Sequence, residues 1–138
     1  MTNLEYAKSL LAQHTCVLCR EAAVYSSKLT GIAPMLEWIT AGTELNGFSA
    51  ADRIVGKAAA LLFVLAGVRE VYGEVISEAG LAVLTEHRIP CSYGTRVPFI
   101  INRKGDGMCP MEETVQNISD PQSAFEALVR KRNELMQK

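Results

Sequence analysis

A chain of 138 residues, 49% of them apolar, is long enough to bury a sizeable core, and one domain spanning residues 1–138 is expected. Its 14 basic and 15 acidic residues leave a net charge of −1, which gives no general attraction to nucleic acid or to an anionic membrane. The longest apolar run, Ala58 to Gly67, is about half of the ~20 residues of a membrane span. The start Met1-Thr2-Asn3-Leu4-Glu5 has no basic region followed by an apolar run, so no secretory signal is read there and a cytoplasmic location is expected. In that compartment Cys16, Cys19, Cys91 and Cys109 are expected as free thiols.

The first predicted helix is Leu4 to Gln13, with Leu4, Ala7, Leu10 and Leu11 on one face. A hairpin follows: Cys16 to Arg20, a turn at Glu21-Ala22, then Ala23 to Ser27. Cys16 and Cys19 have the Cys-x-x-Cys spacing of zinc or redox sites. On a strand, however, residues three apart face opposite sides, which favours two ordinary strand thiols. Thr30 to Thr40 holds a short helix with Pro34 in its first turn, and Asn46-Gly47 signals a turn.

Ser49 and Asp52 read as the N-cap and capping-box acid of a central helix running to Ala66 and stopping at Gly67. A strand at Val71 to Ile76 and a helix from Ala79 to Arg88 follow. A further strand is predicted at Val97 to Ile101, a turn at Lys104 to Gly107, and a last helix at Gln122 to Met136 capped by Asp120-Pro121. In that helix Phe125, Leu128, Val129 and Leu135 are expected to face inward. Strand–helix–strand units of this kind imply an α/β three-layer α/β/α sandwich with a mixed sheet.

The corner Ile76-Ser77-Glu78-Ala79-Gly80-Leu81-Ala82 resembles the strand-to-helix corner carrying Pro-Cys-Gly-x-Cys in zinc-dependent nucleoside and nucleobase deaminases. The element order resembles the cytidine-deaminase-like fold as well. The glycine is present as Gly80, but Ala79 and Ala82 occupy the two thiolate positions. The second deaminase motif, His/Cys-Ala-Glu, falls near Val55-Gly56-Lys57 or a turn earlier near Asp52. In the first placement Lys57 stands where the proton-shuttling glutamate belongs, and Val55 where the third zinc ligand belongs. The resemblance therefore implies a deaminase-like scaffold with no metal site and no cofactor, since the reaction needs a metal to acidify water and a carboxylate to move protons.

Several segments are also similar to a small prokaryotic family of uncharacterised function with this fold and no zinc site. They are Gly31 to Pro34, Ala51 to Ala60, Val75 to Ser77, and above all Ile101-Asn102-Arg103 followed by Gly107-Met108-Cys109-Pro110-Met111-Glu112. The likeness covers about residues 4 to 115.

The candidate ligand-binding residues are Asp52, Gly56, Lys57, Ser77, Glu78, Asn102, Met108 and Cys109. Lys57 reads either as a lysine snorkelling from a buried helix or as a cation drawing a phosphate or carboxylate into the vacated zinc pocket. Gly56 beside it permits close approach. Asp52 reads as a helix-end acid or a ligand contact. Ser77 reads as an N-cap whose helix start would otherwise receive an anion. Cys109, with Glu112 and Glu113 nearby, is the one plausible nucleophile and the candidate catalytic residue, with His14, His87, Lys57 and Arg103 as candidate partners.

These readings imply a non-catalytic small-molecule-binding protein whose ligand is nucleotide-like or otherwise anionic. The alternatives are a thiol-dependent enzyme using Cys109, or a structural or regulatory assembly module with a vestigial pocket. A homo-oligomer is compatible with all three.

Overall fold

The computed structural model describes residues 1–137. Helix α1 (Asn3–Leu10) opens with a capping box: the Thr2 hydroxyl accepts from the Glu5 N–H at 3.1 Å, and the Glu5 carboxylate accepts from the Thr2 N–H at 3.1 Å. The expected hairpin follows as β1 (Cys16–Arg20) and β2 (Ala23–Ser27), paired antiparallel, with Glu21 at φ 54° in the turn. Helix α2 (Ala33–Thr40) has its proline in the first turn, as the sequence indicates.

The segment Ser49–Val55 departs from expectation. It is a strand, β3, and helix α3 begins only at Lys57 (Lys57–Ala66), ending at Gly67 with φ 78°. Ser49 caps nothing; its hydroxyl donates to the Glu70 carboxylate at 2.6 Å. Asp52 lies in mid-strand, paired across from Cys16 of β1. Alanines in a row favour a helix in isolation. Here β3 runs through the middle of the sheet, and Ala50 and Ala51 are both fully buried, in two different clusters of the core. Small side chains at these positions let helices approach both faces of the sheet, so packing overrides propensity.

Strand β4 (Glu70–Ser77) and helix α4 (Glu78–Glu86) lie where expected. The next strand does not. It is β5 (Cys91–Val97), whereas the apolar stretch after it contributes only one antiparallel bridge, Ile101 with Met108. Helix α5 (Pro110–Val115), with Pro110 at its start, was not anticipated. Helix α6 (Pro121–Met136) is capped by Asp120, whose carboxylate accepts from the Ser123 N–H at 2.8 Å. Leu128 of α6 is fully buried, and Phe125 and Val129 pack against the core, but Leu135 is exposed.

The result is an open, mixed, five-stranded sheet of order β2-β1-β3-β4-β5, in which β3, β4 and β5 run parallel. Along β1, Cys16 and Leu18 join the large core, while Val17 and Cys19 join a smaller one. The alternation of a strand thus sends Cys16 and Cys19 to opposite faces. The small core is formed with Ala7 and Leu11 of the α1 segment, and the large one gathers residues of α2 through α6.

Candidate functional site

Two parallel strand–helix corners lie side by side at the carboxyl ends of β3 and β4. Ser77 is the N-cap of α4, and its hydroxyl accepts from the Gly80 N–H at 3.0 Å. A Cβ at position 80 would come within 2.9 Å of the Gly56 carbonyl carbon and oxygen. The start of α4 therefore presses directly on the corner that begins α3, and glycine at 80 is required by this close approach. Ala79 and Ala82 lie in the first turns of α4.

The N-terminus of α3 carries the unpaired N–H groups common to helix starts. Gly56 has no side chain with which to cap them. Glu112 of α5 fills this role: its Oε1 accepts from Lys57 N–H at 2.7 Å and its Oε2 from Ala58 N–H at 2.8 Å. A carboxylate held by two backbone donors at the positive end of a helix is a favourable arrangement. The fit is close, since a Cβ at position 56 would collide with the Glu112 carboxylate. Glu112 is buried. In the sequence Glu112 stands only as a neighbour of Cys109, and nothing in the linear pattern ties it to a helix start 55 residues earlier.

The remaining candidates have local partners. Lys57 is half-buried, and its ammonium donates to the Gln116 carbonyl, at the end of α5, at 3.1 Å. Glu78 pairs at 3.8 Å with Arg96 on β5. The Asn102 side chain closes its own loop, donating to Asp106 at 2.8 Å and accepting from the Asp106 N–H at 3.2 Å. Arg103 donates to the Thr30 hydroxyl at 2.9 Å, tying this loop to the segment before α2. Met108 contributes the bridge to Ile101, and Cys109 is the N-cap of α5.

Glu112 thus ties the first turn of α5 to the α3 start, and Gly56 meets there both the Glu112 carboxylate and Gly80 of the Ser77-capped α4. Asp52 is not part of it: the placement of Asp52 at a helix start is corrected, because it is buried inside the sheet. Burial raises its carboxyl from 3.8 to about 8; the N–H groups of Arg53 and Ile54 oppose the rise, and Glu74 adds to it. The facing Cys16 thiol is pushed well up, by burial first and by Asp52 second.

Among the described residues, no hydrogen bond or ion pair joins Cys109 to His14, His87, Lys57 or Arg103. His14 Nδ1 lies 3.0 Å from the Leu10 carbonyl, and Lys57 and Arg103 are engaged as described above. Nor do three or more His, Cys, Asp or Glu side chains gather in a group fit for a metal ion. No described helix is long and apolar enough to cross a membrane.

No curated protein matches the chain. Among solved structures, a domain-of-unknown-function 1893 family protein (TM1506) from Thermotoga maritima superposes with a TM-score of 0.84 at 25% sequence identity. The match covers 95% of this chain and 91% of that one. The profile of the same family, described as TM1506, domain of unknown function (DUF1893), matches residues 7–131. The chain therefore belongs to the DUF1893 family, a prokaryotic family of unknown function that includes the Thermotoga maritima protein.

Proposed function

We propose that this chain is a non-catalytic assembly or regulatory module on a deaminase-like scaffold, its former reaction corner converted to structural use. The observation that carries the reading is Glu112. Its carboxylate occupies the two N–H groups of Lys57 and Ala58, where an anionic ligand of a helix start would bind. The adjoining corner is closed as well, by Ser77 on Gly80 and by the contact of position 80 with Gly56. The deaminase-like reading of the fold is supported by the same two corners. Gly80 stands where the motif glycine belongs, Ala79 and Ala82 where the thiolates belong, and Lys57 where the glutamate belongs.

A nucleotide-like anion at this site requires Glu112 to leave its two donors and Lys57 to leave Gln116. Thiol chemistry requires a base or cation beside Cys109, and the four candidates are engaged elsewhere or unlinked to it. The test is titration with inorganic phosphate and with nucleoside mono- and diphosphates, followed by calorimetry and thermal unfolding. No heat beyond dilution and no rise in melting temperature is expected. A saturable shift with any of these that Lys57→Ala abolishes would overturn the reading and restore the anion-binding function.

A further inference from the structure

Strand β5 is the last strand of the sheet, and its outer edge has no strand partner among the described residues. It is seven residues long, Cys91-Ser92-Tyr93-Gly94-Thr95-Arg96-Val97, and its middle five residues are exposed. A free edge presents unpaired N–H and C=O groups that can join a second strand. Natural edges are blocked by lysine, proline or inward charges; β5 contains no lysine and no proline, and its one charge, Arg96, is already paired with Glu78. Beside this edge runs a groove lined by Glu78, Leu81, Ala82, Thr85 and Glu86 of α4 and by Arg96. Its floor is apolar and small, and its acids lie at the two ends of α4.

We infer that β5 and α4 form a self-complementary surface through which two copies of this chain pair about a two-fold axis. The inference deepens the assembly reading, on which it rests, by naming the partner. Antiparallel pairing centred on Gly94 extends the sheet across the two copies. It sets Tyr93 against Thr95, Ser92 against Arg96 and Cys91 against Val97, with no like charges opposed. The axis also explains the charge pattern of the groove. Helix α4 begins beside Arg96 and ends just before the chain enters β5, so Glu86 lies toward the Ser92 end of the strand. The symmetry brings the second copy's Arg96 to that end, where Glu86 has no ion-pair partner among the described residues of its own chain. Each arginine then stands between Glu78 of its own chain and Glu86 of the other, and the two α4 helices meet over Leu81 and Ala82. This isologous arrangement is the commonest symmetry of soluble oligomers.

The experiment is sedimentation equilibrium of the 138-residue chain, comparing wild type, Arg96→Glu, and the charge-swapped double variant Glu86→Arg with Arg96→Glu. Both positions are at the surface, and circular dichroism with thermal melting checks that the variants fold. Wild type is expected at twice the chain mass at micromolar concentration. Arg96→Glu should weaken dimerisation by about tenfold or more, and the double variant should recover most of the loss. A monomeric wild type, a dimer insensitive to Arg96→Glu, or a double variant no tighter than the single one would overturn the proposal. The failure of the assembly reading is distinguishable: phosphate or nucleotide binding by wild type and Arg96→Glu alike, abolished by Lys57→Ala, would sink that reading whatever the mass. A wild-type monomer indifferent to both ligands would sink the dimer alone.

Discussion

Asp52 sits in mid-strand with its carboxyl raised to about 8 by burial, against an unfolded value near 3.8. Within that window the folded chain binds a proton that the unfolded chain has released. Stability therefore falls as pH rises, by at most about 1.4 kcal/mol per pH unit. The contribution of the neutral acid is complete below the unfolded value and gone above about 8. Substituting Asp52→Asn, which cannot ionise, should flatten this slope and leave the variant less sensitive than wild type to mildly alkaline buffer. Urea midpoints measured across the window test this. A wild-type midpoint that rises toward pH 8, or an identical slope in the variant, would contradict the raised carboxyl. The residue was visible in the sequence, but its chemistry was not: Ser49 and Asp52 have the spacing of a helix cap, and only the pairing of Asp52 with Cys16 removes it from water.

At the scale of elements, α3 depends on α5 for its start. Helices of this length gain most of their stability from packing and end effects, and Glu112 supplies the cap that Gly56 cannot. Removing it leaves two donors without a partner in a buried corner. Glu112→Ala should therefore cost about 1–3 kcal/mol, read as a lowered urea midpoint. Glu112→Gln keeps an acceptor and should cost less than the alanine variant. Equal stability of wild type and Glu112→Ala would show that the contact is incidental. The short α5 was missed because Pro110 reads equally well as an edge residue or as a first helical residue. Strand β5 was missed because an edge strand exposed along most of its length needs no apolar alternation, and the apolar stretch beginning at Val97 carries the stronger signal.

For the whole molecule, the two adjacent helix starts carry no metal-ligating side chain at Val55, Ala79 or Ala82. Chain purified without added metal should hold far less than one zinc per molecule by elemental analysis, and it should not deaminate cytidine or adenosine. Stoichiometric zinc retained after chelation would overturn the account of these corners. The DUF1893 relationship fixes the kinship and the fold of the chain; a fold of itself names no reaction.

The sequence alone determined the local, strongly signalled features. These were the hairpin of Cys16 to Ser27, the opposite faces of Cys16 and Cys19, the helix stop at Gly67, the helix-starting caps at Asp120 and Ser77, and the β4–α4 corner. Each follows from residues within a few positions of one another, where backbone preference and period suffice. Tertiary structure alone decided that Ala50 and Ala51 belong to a strand, that Asp52 is buried, and that Glu112 caps α3. Those outcomes rest on contacts between segments far apart in the chain, whose energies exceed the small local preferences that a linear reading can weigh.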